Sequence, residues 1–353
     1  MQTLLTFDHK RDRSRSAARL RQGGLDGSRA LYCVVIDKIA IIGTGLVGRG
    51  WAIVFARAGC EVALYDTASG AAVKARELIV DNLRDLVRHR LIDDADVVLE
   101  RIAVAEDLAI ALDGAVYAQE SVFERVDVKR AAFEAIDRIV GPATIVGSSS
   151  SGIPASAFTE GLGCSARALV AHPINPPYLA SIVELVPAPW TSASTVATAR
   201  SLMERVGQAP VQLSREIEGF LLNRLQGVLL MEAWSLVEEG YATAADIDDT
   251  VKHGLGLRWS FMGPFETIDL NAPNGIADYA RRLGPLYASI ASSRTEHRPW
   301  SETLIAELER QRRAVLPAEK LGERSEWRDR RLMALAVHKR EQDATDRTGG
   351  SDT

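Results

Sequence analysis

The stretch Lys38–Ile42 (KIAII) runs straight into Gly43-Thr44-Gly45-Leu46-Val47-Gly48, and this junction restricts the fold more than any other feature of the chain. A short apolar run ended by glycines reads as a buried parallel strand, and Val47–Ala58 continues with a helical pattern. In a G-x-G-x-x-G turn, the first glycine permits the tight bend and the second lets the backbone approach a pyrophosphate. The third allows close helix–strand packing, and the helix N-terminus adds free N–H groups and a positive dipole end.

Glycine-rich turns are common, so the string needs its context. A second strand pattern, Glu61–Tyr65 (EVALY), ends at Asp66, 18 residues past Gly48. A carboxylate at that point hydrogen-bonds adenosine ribose hydroxyls and repels a 2′-phosphate, so the expected cofactor is NAD rather than NADP. The plain alternative is that Asp66-Thr67 is ordinary turn chemistry.

Further along, Ala68–Arg90 reads as a long helix. Ile102–Ala103, Ala115–Gln119 and Thr144–Gly147 read as strands, with a helix over Val126–Val140. Alternating strands and helices predict a parallel sheet covered on both faces. After about residue 215 the pattern becomes helical, with Ile217–Glu239, Thr243–His253, Gly275–Ser293 and Ser301–Arg312 as candidate helices. The expected organisation is a Rossmann-like α/β domain over residues 36–215 and a helical domain over 216–342. The tail from 343 to 353, polar and apolar-poor, is expected to be disordered.

Residues 1–35 carry seven Arg or Lys against three Asp before turning apolar. The basic run is too long and the apolar part too short for a secretory signal. An Arg- and Ser-rich organelle-targeting peptide is one reading; a disordered extension ahead of the folded domain is the one preferred. Three cysteines, Cys33, Cys60 and Cys164, without a short pairing motif point to a reducing compartment and no metal site. A net charge of −5 argues against nucleic acid or an anionic membrane as partner, and no apolar stretch is long enough to span a bilayer. A cytoplasmic enzyme fits these bounds.

The second informative segment is His172-Pro-Ile-Asn-Pro-Pro-Tyr178, followed by Ile182-Val-Glu184. A histidine held beside a proline-rich loop suits proton transfer near neutrality, and a carboxylate on a neighbouring strand would orient it. A satisfied structural histidine remains the alternative. Gly147-Ser148-Ser149-Ser150-Ser151-Gly152 follows a strand at its carboxyl end, where doubly wound sheets place ligands. Asn223, in Gly219-Phe-Leu-Leu-Asn-Arg224, sits in an apolar helical run and needs a hydrogen-bond task, structural or catalytic.

Together these segments resemble the 3-hydroxyacyl-CoA dehydrogenase superfamily. The resemblance covers about Ile39 to His338 and includes Glu120–Glu124 (ESVFE) with Lys129, the serine loop, H-P-x-N-P, V-E and G-F-x-x-N-R. HPINPPY, Gly254–Ala272 (GLGLRWSFMGPFETIDLNA) and the W-R-D-x-x-L-M-x-L-A stretch Trp327–Ala336 resemble its L-gulonate 3-dehydrogenase (lambda-crystallin) branch. The resemblance implies an all-α C-terminal domain of the 6-phosphogluconate dehydrogenase type, and a homodimer formed through it. His172 would be the general base and Glu184 its partner. Ser151, with Ser150 one register away, and Asn223 would hydrogen-bond the reacting oxygen. Glu124 and Lys129 would flank the ribose or the nicotinamide of NAD, beside Gly43, Gly45, Gly48 and Asp66. Phe123 departs from the usual proline before Glu124 and is expected to shift that loop.

Arg258 separates the candidate substrates. A guanidinium fork binds a free carboxylate in a bidentate manner, and a thioester offers no such anion; a surface salt bridge is the alternative. The leading expectation is NAD-dependent oxidation of a small free 3-hydroxy acid, gulonate or a shorter relative. A 3-hydroxyacyl-CoA comes second and carnitine third. A purely structural, crystallin-like role has no need of the His172, Glu184, Ser151 and Asn223 set.

Overall fold

The computed structural model of the chain describes residues 37–294 and 299–349, the last four as backbone. The N-terminal extension and residues 350–353 of the expected tail lie outside the described residues.

The first half alternates strand and helix: β1 (Lys38–Ile42), α1 (Leu46–Arg57), β2 (Glu61–Tyr65), α2 (Ala71–Arg88), α3 (Ala95–Leu99), β3 (Ile102–Val104), α4 (Leu108–Leu112), β4 (Ala115–Glu120), α5 (Val126–Asp137) and β5 (Ile145–Ser148). Then come α6 (Ser156–Thr159), β6 (Ala168–Pro173), β7 (Ile182–Pro187), α7 (Ala193–Arg205) and β8 (Ala209–Gln212). One sheet joins the strands in the order β3-β2-β1-β4-β5-β6-β7-β8. Every pair is parallel except β6 with β7. Strand order therefore reverses beside β1, and the crevice between the carboxyl ends of β1 and β4 is where such sheets take ligands.

The central strands are apolar on both faces because both faces are covered. One side packs Trp51 and Phe55 of α1 with Ile79 and Leu83 of α2; the other packs Phe133 and Ile136 of α5 with Phe158 and Phe220.

Beyond β8, the described residues are helical: α8 (Leu222–Glu238), α9 (Ala244–Thr250), a π-helical turn Val251–Leu255, α10 (Gly256–Trp259), α11 (Pro264–Leu270), α12 (Gly275–Ser292), α13 (Glu302–Val315) and α14 (Leu321–Gly349). Helix α8 starts later than the sequence pattern predicts, because Gly219 (φ 72°) and Phe220 (φ 51°) occupy the left-handed region and break the path. The expected helix Thr243–His253 widens into the π turn. At Gly256 an added Cβ would lie 3.0 Å from the Val251 carbonyl oxygen, so a side chain there would press on the bulge.

The tail is corrected as well. Residues 343–349, expected to be disordered, continue α14, since no glycine or proline interrupts the run between Gly322 and Gly349. Helix α14 also returns to the α/β domain: Met333 is buried in its core, and Arg340 donates to the Arg90 carbonyl at 2.8 Å. No helix among the described residues is long and apolar enough to cross a membrane.

Candidate active site

The glycine turn is built by exclusion. A Cβ on Gly43 (φ 90°) would lie 2.6 Å from the Ser121 carbonyl oxygen, and one on Gly48 would lie 2.0 Å from that of Gly43. A Cβ on Gly45 would meet nothing within 4 Å, because that residue faces the open cleft. Gly45 is also the N-cap of α1 and brings no capping side chain, so the first turn of the helix borders the cleft without a side-chain cap.

The cleft, about 960 Å³, is lined by Gly43, Thr44, Gly45, Leu46, Val47 and Asp66 on one side and by Ser121, Val122 and Phe123 on the other. Asp66 Oδ2 takes the backbone N–H (2.8 Å) and hydroxyl (2.9 Å) of Thr44, and Oδ1 takes the N–H of Ala68. The carboxylate is thus locked at the end of β2 with lone pairs to spare. A cradle that only glycine fits, an uncapped helix N-terminus and an anchored acid suit a dinucleotide.

At the carboxyl end of β4 a buried ion network begins. Lys129 Nζ lies 3.2 Å from Glu120 Oε1 and 3.2 Å from Glu124 Oε2. Burial pushes the Glu120 carboxyl above the usual carboxylate range, although Lys129, Ser148 and the Val122 N–H pull the other way. For Glu124 burial also acts upward, but Lys129 and the donors Ser150, Ser151 and Gly152 win and lower it. Glu124 therefore clamps the serine loop: it accepts from Ser150 Oγ (2.9 Å), Ser151 N (2.8 Å), Ser151 Oγ (3.1 Å) and Gly152 N (3.1 Å). The expected displacement from Phe123 does not loosen this clamp; Phe123 stands 82% exposed at the cleft mouth.

The two candidate serines differ. Ser150 is fully buried, and its hydroxyl donates to the Ile153 carbonyl or to Glu124. Ser151 is exposed, and its carbonyl accepts from Asn223 Nδ2 at 2.6 Å. The expected hydroxyl–substrate and amide–substrate contacts thus start from groups already bonded to protein, with the amide of α8 bracing the serine loop.

His172 and Glu184 are register partners on β6 and β7. Nδ1 of His172 lies 2.8 Å from Glu184 Oε2, while Oε1 accepts the N–H groups of Leu221 (2.7 Å) and Leu222 (3.0 Å) at the start of α8. Burial favours the neutral acid, yet the hydrogen bonds from His172, Leu222 and Leu221 outweigh it and lower the Glu184 carboxyl below its ordinary value. An ionised Glu184 can only accept, so Nδ1 is the nitrogen that donates to it, and in the neutral ring the lone pair is the one on Nε2. The Phe220 ring covers the imidazole at 5.7 Å between centroids. Pro177 packs the following loop onto α1, where a Cβ on Gly50 would lie 2.4 Å from Pro177 Cδ.

Sequence reasoning missed Phe220, the paired N–H groups of Leu221 and Leu222, and Glu120 as the inner anchor of Lys129. The Gly219-Phe220 dipeptide before an apolar run was the available signal for the first two. The structure does not join Arg258 to this network. It is exposed on α10, and its guanidinium makes no hydrogen bond or ion pair to a described residue. Among the described residues no group of three or more His, Cys, Asp and Glu is placed to hold a metal ion.

Comparison with known proteins now decides the family. The sequence profile of the 3-hydroxyacyl-CoA dehydrogenase NAD-binding domain matches residues 38–217, and that of the C-terminal domain matches residues 219–315. The chain belongs to the 3-hydroxyacyl-CoA dehydrogenase family. It is 39% identical to lambda-crystallin of Oryctolagus cuniculus over 308 residues, covering 86% of this chain and 96% of that one. It is 35% identical to a 3-hydroxyacyl-CoA dehydrogenase of Gibberella moniliformis over 311 residues, 86% of this chain and 95% of the other.

Among solved structures it resembles an NAD+-dependent dismutase, 5-formyl-3-hydroxy-2-methylpyridine 4-carboxylic acid 5-dehydrogenase. The TM-score is 0.72 at 26% identity, covering 86% and 98% of the two chains. The chain is therefore an NAD-dependent oxidoreductase of this family, with a Rossmann-like sheet and a helical C-terminal domain. Helix α14 lies beyond the matched C-terminal profile.

Proposed function

We propose that this family member oxidises the 3-hydroxyl of a small free 3-hydroxy acid to the 3-keto acid, gulonate or a shorter relative being the substrate. The observation that carries the reaction is His172, whose protonated Nδ1 is held by Glu184 while Nε2 is left as a base. Nε2 takes the hydroxyl proton as the carbonyl forms, and Glu184, locked by two backbone N–H groups, stabilises the imidazolium. NAD, when bound, supplies the hydride acceptor. Ser151 on the clamped loop and Asn223 on α8 hold the reacting oxygen, and Glu124 with Lys129 borders the ribose or nicotinamide of NAD.

The guanidinium of Arg258, which has no ion pair to a described residue, supports a free carboxylate as the substrate's anionic end. The dismutase with the similar fold takes its name from a carboxylic acid, in line with that reading. A second reading, a 3-hydroxyacyl-CoA, is supported by the Gibberella moniliformis relative. Purified protein with NAD and a panel of gulonate, 3-hydroxybutyrate, carnitine and 3-hydroxybutyryl-CoA, followed by NADH absorbance, separates them. Turnover of the free acids is expected, and turnover of the thioester alone would overturn the substrate reading.

The helical domain supports a homodimer. Leu225, Val228, Phe261 and Phe265 are each 69–74% exposed, apolar side chains that such an interface would cover. Light scattering on the eluting protein should give twice the chain mass; a monomer at micromolar concentration would refute the dimer.

A further inference from the structure

Beneath the cofactor cleft runs a buried polar chain that the proposed chemistry does not use, and its hydrogen-bond polarity can be traced donor by donor. Gln119 places one end of its amide 3.3 Å from the Ala171 carbonyl oxygen. Two oxygens there would repel, so that end is Nε2, and Oε1 accepts the Tyr117 hydroxyl at 2.6 Å. Nε2 also donates to Ser149 Oγ at 2.8 Å, and the Trp51 indole N–H donates to the same oxygen at 3.2 Å.

Both lone pairs of Ser149 are then taken by donors that cannot be reversed. Its own proton goes to the hydroxyl in reach, Ser121 Oγ at 2.8 Å. Ser121 accepts from within, so its proton is left for a partner outside the network. Ser121 directly follows β4, lines the cleft and abuts Gly43. Room for the chain is reserved at Gly147, where a Cβ would lie 1.9 Å from Tyr117 Oη.

We propose that Ser121 is a hydrogen-bond donor to an oxygen of the ribose–diphosphate part of NAD, its direction imposed by Tyr117, Gln119 and Ser149. Beside the glycine turn the ligand presents many acceptors, and a hydroxyl turned to accept would oppose them. A buried polar chain whose outlet is one oriented proton has a physical reason to exist there.

Calorimetric titration of the purified chain with NAD and with ADP-ribose, which lacks the nicotinamide, tests this without turnover. Ser121→Ala should raise the Kd of both ligands roughly five- to tenfold, the loss of one hydrogen bond to a charged or polar oxygen. Ser121→Cys, a weaker donor of similar shape, should fall between and serves if the alanine variant does not fold. The double variant Ser121→Ala/Ser149→Ala should bind no more weakly than Ser121→Ala, because Ser149 reaches the ligand through Ser121. Unchanged Kd values in the serine variants would overturn the proposal. So would a loss confined to NAD, which would move the hydroxyl's partner to the nicotinamide.

Discussion

His172 and Glu184 face each other across one rung of the antiparallel pair β6–β7, and their side chains meet at 2.8 Å. A rung of a ladder cannot slip without turning every side chain to the opposite face, so the pair is held by the register of the sheet itself. The second oxygen of Glu184 is claimed by the start of α8, which ties the His172–Glu184 pair to the helical domain.

Replacing the base tests the reaction assignment. His172→Ala should lower kcat by roughly 10²–10⁴-fold, the usual contribution of a positioned general base. NAD affinity by calorimetry should stay within about twofold, because the imidazole belongs to β6 and not to the glycine turn. A variant that turns over normally would remove His172 from the mechanism.

The lowered carboxyl of Glu184 makes a signed prediction for stability. An acid that ionises more readily in the folded chain than in the unfolded one adds stability above its unfolded pKa and loses it as pH falls through the folded value. Urea midpoints from pH 7 downward should therefore decline more steeply below about pH 4.5 for the wild type than for Glu184→Gln. Parallel curves for the two proteins would contradict the assigned shift.

Two glycines three positions apart should fail in different ways. Gly48→Ala puts a methyl into the backbone of Gly43 and should cost more than about 2 kcal/mol of folding stability, seen as a lowered urea midpoint. Gly45→Ala projects into open cleft, so the midpoint should hold while NAD affinity drops roughly tenfold. Equal stability losses in both variants would refute this division of labour.

Arg258→Met separates the two substrate readings. The KM for a free 3-hydroxy acid should rise at least about tenfold, the value of a lost charge-assisted pair, while that for a CoA thioester moves little. Equal changes for both would cancel the carboxylate role of Arg258.

Much of the site was legible along the chain because its signals are local. The glycine turn, Asp66 and the strand–helix alternation announce themselves within a few residues, and steric rules for glycine and the periodicity of apolar residues operate at that range. The beginning of α8 was misplaced because a left-handed phenylalanine is rare, and only Gly219 beside it hinted at the break. The tail was misread from its composition; helical propagation from the packed part of α14 carried it on.

By itself, the sequence determined the glycine turn after β1 and a doubly covered parallel sheet, since each follows from short-range chemistry, and for His172 and Glu184 it offered residue types that suit proton transfer. The tertiary structure alone decided that His172 and Glu184 share a rung, that Phe220 roofs the imidazole and that Glu124 clamps the serine loop. It also brought Tyr117, Gln119, Ser149 and Ser121 into one hydrogen-bonded chain. These relations join residues far apart in the chain, and they exist only once strand order and register are set by burying both faces of the sheet.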